Sequence, residues 1–324
     1  EGSHNVPSGK PIMFLANHQN ALLDALLIAT HCKRKPYFLT RSDVFKTALL
    51  KVFFEFLQMI PVYRIRDGKN SLAGNTAIFE RCAQLLGRGE AVLIFPEGNH
   101  SLKRRVRPLS KGFTRILFLA LESNPSMDIG IVPIGVNYAN AAKFPDKAAL
   151  YYGNEIRVRD FFDKKDVSGS ASRLKEEVYH HLKKLTTHIE EESSYEEIVH
   201  TLDRAKVDYL DPAGVNRIIE EGTSPEYRKI GKGKVALMNY LFRGVFYILN
   251  FPMLIIWSRF IKPKVSEPEF LSTTRFMYAL LFYPFFYLLF IAGMLEFLNW
   301  PATSIICLAH LTLNIVLVKL SWED

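Results

Sequence analysis

The first two thirds of the chain alternate short apolar runs with longer segments of helical periodicity. Four apolar runs, each bounded by Gly, Pro or Asn, predict strands that are buried on both faces, at 11–16, 37–40, 91–95 and 129–136. Apolar residues at three- and four-residue spacing predict helices at 21–29, 45–57, 70–86, 112–121 and 172–191. This alternation predicts an α/β fold with a mixed, mostly parallel sheet flanked by helices.

Beyond residue 238 the pattern changes to long runs without charged residues. The runs 276–295 and 301–318 are each long enough, as helices, to cross a hydrocarbon core of roughly 30 Å, so they predict a transmembrane hairpin. The run 244–258 is shorter and is interrupted by Asn250 and Pro252. We expect it to be re-entrant or interfacial, with a bend at Pro252. Buried helices of a soluble protein are the alternative interpretation.

The chain is therefore expected to have two parts. Residues 1–238 form the α/β domain with a helical extension at about 165–238, and residues 239–324 form an α-helical membrane region. The membrane region holds six basic and five acidic residues, so nearly all of the formal net charge of +8 lies in the first part. An anionic partner is indicated: a nucleic acid, a membrane surface or a phosphorylated substrate. The basic residues are not interleaved with aromatic ones, so we expect no nucleic acid.

The basic residues around the predicted hairpin indicate its orientation. Lys262, Lys264 and Arg275 precede it, Lys319 follows it, and the connection between its two runs has none. Both ends are therefore expected in the cytoplasm, with the α/β domain on the cytoplasmic face of an integral membrane protein. The first residue is Glu rather than Met, and no signal-peptide pattern is present, so we interpret the chain as part of a longer one.

Polar residues follow the first predicted strand directly, at 17–24. His18 and Asp24 are suited to act as a base and the acid that orients it, because a carboxylate on one ring nitrogen fixes the tautomer and stabilises the imidazolium. Helix capping or core packing is the alternative for these two residues. The three cysteines form no C-x-x-C pair, and we expect no metal site.

A second polar cluster, at 95–101, follows another buried strand and leads into a basic run. Glu97 is placed to accept a hydrogen bond from a substrate hydroxyl, and Gly98 allows close backbone approach. The cations of the run are suited to phosphoryl oxygens; they are Lys103, Arg104, Arg105, Arg107 and Lys111. A solvated loop, or a basic strip on anionic lipid, is the alternative. Two further clusters lie at 61–66, with more guanidinium groups, and at 132–135, where Pro and Gly interrupt a strand.

In this order and spacing, the four clusters resemble the glycerolipid acyltransferase family, which includes glycerol-3-phosphate and 1-acylglycerol-3-phosphate acyltransferases. The resemblance covers roughly residues 5–160. It implies that His18 is the general base and Asp24 its orienting acid, with no acyl-enzyme. It also implies a set of residues that contact the acceptor, with Arg64 on its phosphate: Asn17, Arg64, Glu97, Gly98, His100 and Lys111. Two further residues are implied to shape the acyl-donor side, Pro133 and Gly135.

The chain departs from the family pattern in two places. Five residues separate His18 from Asp24 where the family usually has four, and one extra residue turns a helical side chain by about 100°. The pair therefore survives only if the turn before the helix absorbs the insertion. Asn99 and His100 stand where the family commonly has Thr and Arg. Because His is a weaker phosphate ligand at neutral pH, Lys103, Arg105 or Lys111 is expected to compensate, or the acceptor differs.

These features predict a membrane-bound enzyme of phospholipid biosynthesis. It would transfer a fatty acyl chain from acyl-CoA or an acyl carrier protein, as co-substrate, to the hydroxyl of 1-acylglycerol-3-phosphate, making phosphatidate, with no bound cofactor. Glycerol-3-phosphate and other lyso-lipids are alternative acceptors. An alternative from another class is a catalytically inactive lipid-binding or scaffold protein, which the longer spacing between His18 and Asp24 would favour.

Overall fold

In the part of the chain that the structure describes, seven strands form a single sheet. The computed structural model describes residues 1–45, 48–63, 74–222 and 234–321. The strands are β1 (Ile12–Ala16), β2 (Tyr37–Arg41), β3 (Met59–Val62), β4 (Ala91–Ile94), β5 (Gly130–Tyr138), β6 (Ala148–Tyr152) and β7 (Ile156–Arg157). Their order in the sheet is β3-β2-β4-β1-β5-β6, with β7 also paired to β5. β1 to β5 run parallel, and β6 and β7 pair with β5 antiparallel. The predicted mixed, mostly parallel sheet is confirmed.

Helices cover this sheet and continue beyond it along the chain. They are α1 (Ala21–His31), α2 (Ala48–Phe56), α3 (Asn75–Gly87), α4 (Gly112–Ser123), α5 (Val167–Leu185), α6 (Tyr195–Ala205) and α7 (Pro212–Glu221). The central strands β1, β4 and β5 are buried along their whole length. This explains why their sequences read as continuous apolar runs rather than as alternating ones. The carboxyl ends of these three strands lie at one edge of the sheet, as the parallel pairing requires.

The structure corrects the predicted end of the fifth helix. The pattern predicts a helix to residue 191, whereas α5 ends at Leu185 and Thr186 is extended. Residues 186 and 187 are both β-branched threonines, which disfavour helix continuation, and the Thr186 hydroxyl bonds back to the Leu182 carbonyl. His188 therefore lies in a connecting segment and not on the helix. The sequence pattern also missed β3, β6 and β7, which are short and only partly buried.

The chain divides into two compact units. The first comprises Glu1–Ala139 and Lys147–Glu226, and the second comprises Asn140–Asp146 and Tyr227–Asp324. The second unit contains α8 (Lys234–Leu249), α9 (Phe251–Ile256), α10 (Leu271–Leu295) and α11 (Trp300–Ser321). The segments Pro268–Leu295 and Trp300–Leu320 are both long and apolar enough to cross a membrane. The two apolar runs of the predicted hairpin thus form two candidate membrane-spanning helices.

The short apolar run is a broken helix whose two parts meet at an angle of 85°. The break falls at Asn250, and Pro252 lies in the first turn of α9, where a missing amide hydrogen is tolerated. Polar side chains from α11 support the break. Asn250 is buried and donates to Asn314 Oδ1 at 2.7 Å, and His310 lies 3.2 Å from the Leu249 carbonyl oxygen. These contacts satisfy backbone and amide groups that a membrane interior would leave without partners.

Candidate active site

The turn between β1 and α1 is fixed by the amide of Asn17. Its Nδ2 donates to the Val136 carbonyl at 3.0 Å, and its Oδ1 accepts from the Val136 amide at 2.7 Å. The side chain thereby continues the pairing of β1 with β5 by one more residue, and it is buried. Both polar ends of the Asn17 amide are engaged by this strand, so its direct effect is to position His18. Its predicted contact with substrate stays a prediction.

His18 and Asp24 are hydrogen-bonded to each other. The His18 Nδ1 atom lies 2.7 Å from Asp24 Oδ2, and the Asp24 side chain is fully buried while that of His18 is 16% exposed. A carboxylate only accepts hydrogen bonds, so the neutral imidazole carries its proton on Nδ1 and leaves Nε2 as the basic nitrogen. The ring of Phe95 stacks on the imidazole with centroids 4.1 Å apart. The imidazole is therefore held in one tautomer and in one plane.

The turn absorbs the extra residue between His18 and Asp24. Helix α1 begins only at Ala21, which has a φ of 42°, in the left-handed region that non-glycine residues rarely adopt. The backbone amides of Gln19 and Asn20 both donate to Asp24 Oδ2 at 2.8 Å. The longer spacing therefore does not separate His18 from Asp24, because the extra residue lies in the turn before the helix, and this turn wraps around the carboxylate.

The segment after β4 brings the second polar cluster beside the first. Gly98 has a φ of 74° and closes a turn through its amide, which donates to the Phe95 carbonyl at 3.1 Å. Glycine is favoured here because of this conformation. The amide of Ser101 donates to the His18 carbonyl at 3.0 Å. The ring of His100, which is buried, meets the His18 ring edge to face at a centroid distance of 5.5 Å.

Glu97 is a buried carboxyl group with one unpartnered oxygen. Its side chain is 2% exposed, and Oε2 accepts from Arg107 Nε at 2.8 Å. Oε1 is buried without a hydrogen-bond partner in the structure. Burial raises the pKa of Glu97 to about 7, against the lowering effect of the Arg107 guanidinium. A buried acceptor without a partner is costly, which makes Oε1 a candidate contact for a substrate hydroxyl.

The basic run that was expected to bind phosphate is largely engaged within the protein. Lys103 and Arg105 pair with Glu192, and Arg107 pairs with Glu97. Lys103 and Arg105 thus already have an anionic partner, and their expected compensating role stays a prediction. Lys111 is exposed at the start of α4. Arg64 lies outside the described residues.

Pro133 and Gly135 lie within β5, and the local structure explains why each of these residues is suited to its position. The Pro133 carbonyl accepts from the Gly153 amide at 2.9 Å, between the segments of β5 that pair with β6 and with β7. A proline is tolerated at such a gap in the ladder. A Cβ on Gly135 would lie 2.1 Å from the Leu185 carbonyl oxygen, so the end of α5 can pack there only against glycine. Their predicted effect on the acyl-donor side remains a prediction.

Sequence reasoning missed Tyr138 as part of the site. Its hydroxyl donates to Asp24 Oδ1 at 2.7 Å and is buried. The predicted strand ends at residue 136, two residues before Tyr138, whereas β5 continues to Tyr138 at the same sheet edge as His18. A polar aromatic residue at the carboxyl end of a buried strand was the available signal.

We expect the ionisation of Glu97 to make the protein less stable as the pH rises. Its pKa of about 7 lies above the ordinary value of 4.5, so the full stability holds below about pH 4.5 and is lost progressively up to about pH 7. The loss is on the order of 3 kcal/mol if the whole shift is realised. A Glu97→Gln variant lacks this ionisation. The difference between the Tm of the variant and the Tm of wild type should therefore be more favourable to the variant at pH 8 than at pH 5. An equal dependence on pH in both proteins would contradict this assignment.

Known proteins are similar to this chain over the segment that contains the site residues described above. The acyltransferase family model matches residues 1–137. Glycerol-3-phosphate O-acyltransferase 1 of Saccharomyces cerevisiae is 26% identical over 83 residues, which cover 26% of this chain and 11% of that protein. The chloroplastic 1-acyl-sn-glycerol-3-phosphate acyltransferase BAT2 of Brassica napus is 26% identical over 113 residues, which cover 35% of this chain and 31% of that protein.

A solved structure is also similar: the 1-acyl-sn-glycerophosphate (LPA) acyltransferase PlsC from Thermotoga maritima. The TM-score is 0.40 at 18% identity, and the match covers 59% of this chain and 73% of that chain. The two curated relatives are matched over only 11% and 31% of their length. The similarity therefore concerns the segment that carries the polar clusters. The resemblance inferred from those clusters is confirmed: the acyltransferase family model matches residues 1–137, and the similar proteins include glycerol-3-phosphate and 1-acyl-sn-glycerol-3-phosphate acyltransferases.

Proposed function

We propose that the protein is a membrane-bound O-acyltransferase that transfers a fatty acyl chain from a thioester donor to the hydroxyl of 1-acylglycerol-3-phosphate. The observation that carries the proposal is the hydrogen-bonded His18–Asp24 pair, whose imidazole is partly open to solvent and stacked on the ring of Phe95. The donor is acyl-CoA or an acyl-loaded carrier protein. Glycerol-3-phosphate is the alternative acceptor, which the yeast relative's name supports.

The chemistry needs a base but no covalent intermediate on the protein. The Nε2 atom of His18 removes the proton of the acceptor hydroxyl as its oxygen attacks the thioester carbonyl carbon. The tetrahedral intermediate then collapses by breaking the carbon–sulfur bond, and the imidazolium returns its proton to the departing sulfur. Asp24 stabilises the imidazolium between these two steps. Positioned general base catalysis of this kind contributes on the order of 10² to 10⁴ in rate.

The unpartnered oxygen of Glu97 is the proposed contact for a second acceptor hydroxyl. With a pKa of about 7, this carboxyl group is present in both protonation states at neutral pH. Either state forms a hydrogen bond with an alcohol, since the acid donates and the carboxylate accepts. The acceptor phosphate is assigned to Arg64 and Lys111. Lys111 is exposed, and the four other cations of the same run have contacts within the protein.

The acyltransferase unit is proposed to face the cytoplasm, with its lipid acceptor supplied by the membrane. The basic residues that flank the two long helices support this orientation. In a variant whose native cysteines are replaced, single cysteines at Tyr240 and Lys262 should both react with an impermeant maleimide from the cytoplasmic side. A cysteine at Phe297, in the connection between the long helices, should react only from the opposite side. Labelling of Tyr240 and Lys262 positions from opposite sides would show a spanning segment instead.

A panel of acceptors and donors tests the proposed reaction. Purified protein in detergent would be incubated with 1-acylglycerol-3-phosphate, glycerol-3-phosphate or a lyso-lipid without a terminal phosphate. Each acceptor would be combined with acyl-CoA or with an acyl carrier protein, and the products identified by mass. We expect phosphatidate as the main product and free thiol release in equal amount. No acyl transfer with any pair, at concentrations where lipid binding is detected, would favour a lipid-binding or scaffold protein.

A further inference from the structure

Arg104 is one of the residues through which the C-terminal extension contacts the acyltransferase domain. Its guanidinium donates to the carbonyls of Tyr138 and Ala139, at 3.0 and 2.8 Å, across the carboxyl end of β5. The same group lies 3.4 Å from the ring centroid of Tyr209. A planar guanidinium provides this combination of a fork of two hydrogen bonds and a stacked face, and an ammonium group does not.

The backbone of Arg104 is fixed by the extension as well. Its amide donates to the hydroxyl of Tyr195 at 2.7 Å, and its carbonyl accepts from the amide of Ile189 at 2.9 Å. Two residues further on, the Val106 amide donates to His188 Nδ1 at 3.0 Å. The amide, the carbonyl and the side chain of Arg104 are thus all held by residues that lie beyond the acyltransferase family match at 1–137.

A short chain of contacts leads from Arg104 to the base. Arg104 binds the carbonyl of Tyr138, and the hydroxyl of the same tyrosine donates to Asp24 Oδ1 at 2.7 Å. Asp24 in turn holds His18 through its other oxygen. Tyr138 is the last residue of β5. A shift of its backbone would move its side chain as well and would lengthen or break the hydrogen bond from its hydroxyl to Asp24.

We propose that Arg104 is a positioning residue for acyl transfer, through which the C-terminal extension fixes Tyr138 and hence the His18–Asp24 pair. This inference rests on the proposed function for its kinetic consequence only. The extension itself has a small apolar core of its own, formed by Ile189, Tyr195, Leu202, Tyr209 and Val215. Its packing is thus coupled to the orientation of the base although none of its residues contacts His18 in the described part of the chain.

The proposal is tested with two conservative variants and a matched control. Arg104→Lys keeps the positive charge but loses the fork, and Tyr138→Phe removes only the hydroxyl on Asp24. The control is Glu192→Gln, which removes exposed ion pairs to Lys103 and Arg105 between the same loop and the same extension. We expect kcat to fall about 10-fold in each test variant, because small misplacements of a catalytic group have effects of this size. KM for donor and acceptor should stay within about twofold, and the control should resemble wild type in both constants.

Two further measurements separate positioning from a general loosening of the fold. The double variant Arg104→Lys/Tyr138→Phe should lose no more activity than the larger single effect, because both changes act on one chain of contacts. In protein labelled with ¹⁵N-histidine, the Nδ1–H proton resonance of His18, assigned by its loss in His18→Ala, should move in both test variants and not in the control.

The outcomes are decisive in both directions. Additive losses in the double variant, an equal loss in the control, or an unchanged His18 resonance in Arg104→Lys would each overturn the proposal. If wild type transfers no acyl group in the acceptor panel, the proposed function fails, and the resonance comparison alone decides whether Arg104 positions His18.

Discussion

Replacement of His18 by alanine should reduce acyl transfer by at least about 10³-fold. The imidazole is the only base that the proposed mechanism uses, and its Nε2 is the nitrogen left free by the bond from Nδ1 to Asp24. The His18 side chain is partly exposed and stacks on Phe95 rather than filling the centre of the core, so the variant should fold. Initial rates with 1-acylglycerol-3-phosphate and acyl-CoA, measured alongside Tm, provide the test.

His31→Ala is the matched control for this substitution. His31 lies at the other end of the same helix, α1, and is exposed. Its replacement should leave the rate within about twofold of wild type, since exposed substitutions have small effects. Turnover that persists in His18→Ala at more than a tenth of the wild-type rate would eliminate the proposed base. Loss of turnover in both variants would point to damage of α1 instead.

Replacement of Asp24 by asparagine should leave the fold intact and reduce the rate by about 10² to 10⁴-fold. Asp24 Oδ2 accepts hydrogen bonds from His18 Nδ1 and from the amides of Gln19 and Asn20, while Oδ1 accepts from the Tyr138 hydroxyl. An asparagine can place its carbonyl oxygen toward the three donors. Its amide group then donates to Tyr138, whose hydroxyl can accept as well as donate. The geometry survives, but the negative charge that stabilises the imidazolium is lost.

Asp24→Ala should behave differently from Asp24→Asn. It leaves four donors without their acceptor at a fully buried position, and each unsatisfied group costs about 1–3 kcal/mol, so we expect loss of folding or a large drop in Tm. Asp128→Asn serves as the control, because Asp128 is an exposed acid paired with Lys10. If Asp24→Asn keeps the wild-type rate, the carboxylate has only a structural role at the turn.

The two departures from the family pattern have different physical consequences. The longer spacing between His18 and Asp24 is absorbed at Ala21, whose positive φ lets the chain wrap around the carboxylate before the helix begins. The longer spacing therefore does not favour an inactive scaffold. The change at residue 100 places an imidazole edge to face against His18, where the family commonly has a guanidinium. An imidazole is a weaker anion ligand at neutral pH, so this change concerns the acceptor more than the reaction.

The amino-acid sequence by itself determined the local features of this protein. Continuous apolar runs predicted the central strands β1, β4 and β5, since strands buried on both faces have no polar side. Uncharged runs predicted the two long helices of the second unit, because length and composition alone decide whether a helix can cross a membrane. The polar clusters after the strands predicted the region of the site, because parallel strands bring their carboxyl ends to one edge.

Only the tertiary structure decided how distant residues meet. The bond from Tyr138 to Asp24 joins residues 114 positions apart, and the contacts of Arg104 with Tyr195 and Tyr209 depend on how the extension folds back. The same holds for three residues of the basic run: Lys103, Arg105 and Arg107 look available for phosphate in the sequence but pair with Glu192 or Glu97 in the fold. Sequence patterns report the burial and periodicity of each segment, whereas the partner of a charged group is set by the packing of segments that are remote in the chain.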